Sequence, residues 1–375
     1  MPLDFSFGVT RMRKSIGTVY LLVSLAVALV FLIAVIVTAR YEENQYAQLQ
    51  LSAARTMADA EAFLKARIQE RGIEVEPEDL NQTYLLGPEF TELTSTPGAV
   101  DAKRTSWNPN FAAAMVRYFS EAGLEKGDVL AIGTSGSFPG LAVAAVIAAS
   151  RMGLETRIIA SLGASMHGAT RPEFNIFDFL LCLKEGGFAD FNLVAVSRGG
   201  FDDKGGGVLE GILYEGTDIL SAEICKDVAS RTGAAYIECD TLAESIRRRL
   251  ELFGDGIDMF VNVGGASTNS GASSYGTTFP PGLVLTPPQI PADDTRGLCF
   301  EYAALGLPVL NLLNVKALAS ENGIAYDPVP MSKPGDGGVY TTTHYSVPLI
   351  VAGITTSVCV LLAGFVVSYM KRKGH

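Results

Sequence analysis

The chain opens and closes on apolar runs. Ser15–Ala39 carries no charge over 25 residues, and Tyr345–Met370 carries none over 26. At about 1.5 Å of helix per residue, either run spans the ~30 Å hydrocarbon layer of a bilayer. Between them the pattern changes twice. From Tyr41 to Arg71, Ala53, Met57, Ala60, Leu64 and Ile68 recur at the three-to-four spacing of one helix face, which predicts a helical stalk packed on the following domain or on a partner helix. After an irregular connector at 81–98, short apolar runs alternate with helical patterns.

Strands are expected at Asp128–Ile132, Thr156–Ala160, Phe191–Val196, Ala235–Cys239, Met259–Val263 and Pro308–Leu313. Helices are expected from Pro109, which follows the cap residue Asn108, and over Pro139–Met152, Asp218–Arg231 and Thr241–Phe253. Short apolar strands separated by helices of ten to fifteen residues predict an α/β fold: a three-layer, doubly wound, mostly parallel sheet. FPPGLVLTPPQIPADD (279–294) is too rich in proline for regular structure, and reads as a lid over the strand ends or as a surface connector. The expected organisation is an N-terminal segment 1–14, a span 15–39, a stalk 41–71, a domain 72–344, a second span 345–370 and a tail 371–375.

Charge orients this layout. Arg11, Arg13 and Lys14 precede the first span, and Lys371, Arg372 and Lys373 follow the second, so both termini are expected in the cytoplasm and residues 41–344 on the outer side of the membrane. Arg40 is a single dissenting charge. Val37-Thr38-Ala39 has the form of a signal cleavage site, but the apolar region is longer than the 7–15 residues usual for a signal peptide, so an uncleaved anchor is expected. Of 29 basic and 40 acidic residues, setting aside Arg40, those two basic clusters and Asp4 leaves 22 and 39, a net of −17 outside. Such a field excludes nucleic acid as a partner, and an anionic polymer would be held only at a local basic pocket.

Chemistry is expected beyond the carboxyl ends of the strands, where loops enter helices. Four such loops are rich in glycine and hydroxyls: GTSGSFPG (133–140), SLGASMHGAT (161–170), SRGGFDDKGGG (197–207) and NVGGASTNSG (262–271). Each loop alone fits an ordinary strand-to-helix turn; together they predict a ligand site comprising Gly133, Thr134, Ser135, Gly136, Ser137, Ser165, Arg198, Gly199, Gly200, Gly264, Gly265, Ser267 and Asn269. The first and last of these loops also read as a degenerate internal repeat. As candidate catalysts, Ser135 and Ser137 need a base, and His167 is the histidine in reach, with Glu173, Asp178 or Asp240 to orient it. TSGSFPG is not the G-x-S-x-G elbow, and His167 reads more readily as an ordinary loop residue with no catalytic task. Arg198 and Arg171 are the expected cations for an anionic ligand. Asp202 and Asp203 read as a solvated turn. Cys182, Cys225, Cys239 and Cys299 leave a disulfide open, Cys359 falls in the second span, no spacing marks a metal site, and no cofactor is indicated.

WNPNFAAAMVRYF, GDVLAIGTSGSFPGLAVA, SLGASMHGATRPEF and FVNVGGASTNSG, in this order and between terminal apolar spans, resemble the poly-γ-glutamate system protein family. The likeness covers most of residues 85–330, and GTSGSFPG is its most specific element. These are bacterial membrane proteins encoded beside the genes for synthesis and export of poly-γ-glutamate. The resemblance implies partnership with the synthase or export membrane subunits and the lipid bilayer, and an anionic poly-γ-glutamate or glutamate-containing ligand. It brings no catalytic residues with it. Two function classes follow: a non-catalytic polymer-handling subunit, or an extracytoplasmic amide hydrolase or transferase using Ser135 or Ser137. A weaker likeness of GDVLAIGTSGSFPG and AAVIAASRMGLETRIIA to sugar isomerase domains implies phosphosugar binding as a third reading.

Overall fold

The computed structural model describes residues 16–272, 274–276 and 278–373. Arg11, Arg13, Lys14, Asp4 and His375 lie outside them. The chain forms two compact units, one from its two ends up to Glu43 and from Thr341 onward, the other from Asn44 to Tyr340.

In the first unit, helices Ile16–Val37 and Val347–Lys373 pack together and are joined by a ribbon in which Arg40–Glu43 pairs antiparallel with Thr341–His344. Thr18–Val37 and Val347–Met370 are long and apolar enough to cross a membrane. With no water to exclude in such an environment, helices associate through close packing and polar contacts. Both are present here: Ser24 Oγ donates to the Ser357 carbonyl at 3.0 Å, and a methyl group on Gly353 would stand 2.7 Å from Phe31 Cβ.

The second unit is built on seven strands: β1 Val129–Ser135, β2 Glu155–Ser161, β3 Asn192–Ser197, β4 Ala235–Ile237, β5 Met259–Val263, β6 Gly282–Val284 and β7 Val309–Leu312. Their order is β6-β7-β5-β1-β2-β3-β4, parallel throughout except that β6 runs antiparallel to β7. Both faces are buried, because alternate side chains enter different cores. Leu130, Ile132, Ile158 and Ala160 join one cluster, whereas Ala131, Ile159 and Ala195 join the other.

Ten helices of this unit matter below: α1 Ala47–Glu70, α2 Val100–Ser106, α3 Asn110–Glu121, α4 Pro139–Met152, α5 Ile176–Glu185, α6 Thr217–Thr232, α7 Leu242–Phe253, α8 Ser267–Ser270, α9 Leu298–Ala304 and α10 Val315–Glu321. Helix α1 buries Ala53, Met57, Ala60, Leu64 and Ile68 in the first cluster beside α3 and α4. Of the two placements its period allowed, on the domain or on a partner helix, it takes the first. The proline-rich segment departs from expectation, since β6 lies within it. An edge strand pairs on one side only, so prolines flanking Gly282–Val284 remove no ladder bond. All five cysteines are free, and burial pushes the Cys182 thiol up to about 11.

Candidate functional site

Strand order reverses between β1 and β5: the chain winds through β2, β3 and β4 on one side and through β7 on the other. In parallel sheets such a reversal leaves a crevice at the carboxyl ends of the strands. Register aligns Ser135 with Ser161 and Ser161 with Ser197, so three adjacent strands end on hydroxyls. A cavity of about 840 Å³ opens there. Ser135 and Ser137 line it from the β1 loop, Ser165 from the β2 loop, Gly199 and Gly200 from the β3 loop, and Gly265 and Ser267 from the β5 loop.

Lys103 also lines the cavity, and no motif had marked it. It sits on α2, which lies within AVDAKRTSW and is too short for a sustained periodic signal. Its residue is 1% exposed, its Nζ donates to the Ser137 carbonyl and lies 2.5 Å from Ser165 Oγ, and the Phe138 ring centre is 3.8 Å away. No carboxylate is within ion-pair distance of it among the described residues. Burial without an acid disfavours the ammonium, and the amine is pushed down to about 7. The sequence did contain a faint cue: Val100, Lys103 and Trp107 share three-to-four spacing, which turns the lysine toward the same face as a buried tryptophan.

A second buried charge braces the β3 loop. Asp203 receives Arg249 Nη1 at 2.8 Å and Nη2 at 3.1 Å, Ser245 Oγ and Ser197 Oγ at 2.7 Å each, and the Gly199 amide at 3.2 Å. Arg249 Nη2 also donates to Ser197 Oγ at 2.7 Å. Asp203 is thus a buried anchor, not the solvated residue its Gly-rich surroundings imply, while Asp202 lines the cavity. Both adopt positive φ (51° and 65°), and the ion pair holds that tight turn.

Several expected site residues lie elsewhere. Arg198 does not line the cavity and stands 3.7 Å from Glu238. Arg171 is 5% exposed and pairs with Glu76 at 2.6 Å, a structural role. Asn269 donates to Asn262, which donates to Asn311, and this buried ladder fastens the β5 loop to β5 and β7. Gly133, against which Asn269 packs, Thr134 and Gly136 are buried outside the lining. His167 is 7% exposed and outside the cavity lining, its Nδ1 meets no hydrogen-bond partner among the described residues, and its ring makes no hydrogen bond to Ser135 or Ser137. Asp178 is committed to capping α5 and to Arg71; Asp240 is exposed.

Gly264 supports the site without lining it. At φ 92°, a methyl group there would stand 2.6 Å from Ser135 Oγ. Left-handed strain and overpacking add, so Gly264→Ala is expected to cost about 2–3 kcal/mol. Urea unfolding followed by the fluorescence of Trp107, the single tryptophan, measures this; a loss below about 0.5 kcal/mol would show that the loop relaxes freely.

The charged side chains lining the cavity among the described residues are Lys103, Lys316 and Asp202. Inside a chain of net charge −11, the cavity is locally cationic when Lys103 is protonated. Comparison of this chain with protein-family models, with curated proteins and with solved structures gives no match.

Proposed function

We propose that this protein is a membrane-anchored component of a poly-γ-glutamate synthesis and export system, whose α/β domain binds the polymer or a glutamate-containing precursor. In this reading the two apolar helices anchor the chain in the bacterial inner membrane with both termini cytoplasmic. The domain is a three-layer, doubly wound sheet on the outer side, and the helices meet the synthase or export subunits. The sequence likeness motivates the pathway. The observation that carries the ligand is the cavity, where the Lys316 cation, the Lys103 amine, hydroxyls and glycine-rich backbone form a concave surface for carboxylates and amides within an acidic protein.

Lys316 is exposed at the cavity wall and free to meet a carboxylate there. Full-length protein in detergent micelles is expected to bind short γ-glutamyl oligomers in calorimetry, with affinity falling as salt rises. Lys316→Glu should weaken binding by about tenfold, since a like charge replaces an opposite one at the wall. Arg198→Ala, outside the cavity, should leave affinity unchanged. Absence of binding at low salt, or equal binding by Lys316→Glu, would overturn the reading.

A further inference from the structure

We propose that Ser165 and Lys103 form a nucleophile–base pair for acyl transfer, with Ser165 Oγ attacking an amide carbonyl of a chain held in the cavity. The identification of that chain as γ-glutamyl rests on the function proposed above; the assignment of the pair does not.

Four observations carry it. The cavity contains several hydroxyls, but among the described residues the one within hydrogen-bond reach of a base is that of Ser165, 2.5 Å from Lys103 Nζ. Ser135 and Ser137 of the β1 loop are tied into structure: Ser137 Oγ accepts the Ser165 amide at 3.1 Å, and Ser135 Oγ accepts the Ser137 amide at 3.4 Å. Lys103 is buried with no acid beside it, which leaves a neutral amine accessible near pH 7; a salt-bridged lysine would stay protonated and useless as a base.

The pair is also held from several sides. The Ser137 carbonyl and the Phe138 ring fix the amine. The Ser165 backbone is pinned through its amide to Ser137 Oγ and through its carbonyl to the Gly168 amide at 2.9 Å. A methyl group on Gly98 would sit 3.1 Å from Lys103 Cε and 3.3 Å from Ser165 Cβ, so this backbone approaches the pair as closely as packing allows. A nucleophile oriented by a base that is itself oriented is the general form of such sites, and serine with lysine is one of its variants.

The chemistry balances without a cofactor. Neutral Lys103 takes the Ser165 hydroxyl proton as Oγ bonds to the carbonyl carbon. Helix α4 begins at Pro139, next to cavity-lining Phe138, so the positive end of its dipole lies beside the cavity and favours the oxyanion. Collapse of the tetrahedral intermediate breaks the C–N bond, and protonated Lys103 delivers its proton to the departing amine. Water then attacks the Ser165 ester, giving a proton to Lys103; collapse breaks the C–Oγ bond, Lys103 returns that proton to Ser165 Oγ, and the carboxylic acid leaves.

The test uses full-length protein in detergent micelles and a fluorophosphonate probe, which phosphonylates an activated serine with loss of fluoride. Peptide mapping by mass spectrometry should find the adduct on Ser165. The labelling rate should rise with pH through an inflection near 7, as Lys103 loses its proton. Ser165→Ala should abolish the adduct, and Lys103→Met should slow it by about 100-fold or more. Lys103→Arg should not restore it, because a guanidinium stays protonated. Unchanged Trp107 emission in each variant excludes misfolding as the cause. An adduct no faster than in heat-denatured protein, an adduct on Ser135 or Ser137 instead, or labelling unaffected by Lys103→Met would overturn the proposal. Oligomer binding without Ser165 labelling would sink the pair and spare the binding function; labelling without oligomer binding would do the reverse.

Discussion

Arg249→Met is expected to destabilise the α/β domain by about 3–5 kcal/mol, because it leaves the Asp203 carboxylate buried and without its cation. Arg249 is 1% exposed and supplies two of the five hydrogen bonds to that carboxylate. The remaining three come from Ser197, Ser245 and the Gly199 amide, which carry no formal charge. Urea unfolding read by Trp107 fluorescence gives the number. A second variant separates charge from volume. Arg249→Met combined with Asp203→Asn removes the stranded charge while keeping a residue that tolerates positive φ, so it should recover a large part of the loss. Destabilisation under about 1 kcal/mol by the single variant would mean that water reaches the carboxylate and that the β3 loop is not braced as described. The effect should extend to the cavity, since Asp203 holds the Gly199–Gly200 turn that lines it.

Lys103→Met should do the opposite and stabilise the domain below pH 7. The unfolded lysine titrates near its ordinary 10.5, the folded one near 7. Below pH 7 both forms hold the proton, and the folded chain bears the whole cost of a buried, unpaired ammonium. Between pH 7 and 10.5 the unfolded chain holds a proton that the folded chain has released, so wild-type stability rises with pH. Above 10.5 neither holds it and the penalty is gone. The advantage of the methionine variant should therefore be greatest at pH 6, on the order of a few kcal/mol, and should shrink as pH rises to 10. Parallel urea titrations at pH 6, 8 and 10 measure it. A pH-independent difference would show that Lys103 keeps its ordinary titration, and would remove the neutral amine that acyl transfer needs. A residue that costs stability yet lines a cavity is the pattern expected where burial serves chemistry.

Helix α7 illustrates how much of the site was legible. Its sequence LAESIRRRLELF places Leu242, Ser245, Ile246, Arg249 and Phe253 on one face, so of three consecutive arginines only Arg249 turns inward. Period alone identifies the buried arginine; it does not identify its partner, because Asp203 lies 46 positions away in a loop with no periodic signal. Lys103 and Ser165 are separated by 62 positions and belong to α2 and a two-residue strand, elements too short for a pattern to develop. His167 shows the converse error. Its chemistry suited a base, but loop residues only two apart can point to different surroundings, and it is Ser165 that enters the cavity. The same holds for Arg198, whose neighbours in sequence line the site while its own side chain lies beside Glu238.

Local order was written in the chain: two runs too apolar for water, strands in alternation with helices, and hydroxyl- and glycine-rich turns after the strands. These follow from hydropathy period and backbone preference, which act over a few residues and leave their trace there. Which turns share a cavity, which serine meets an amine and which charges are buried together were matters of assembly. Parallel strands bring distant segments side by side through crossovers, and a side chain's proton affinity depends on the atoms that surround it once that assembly has excluded water.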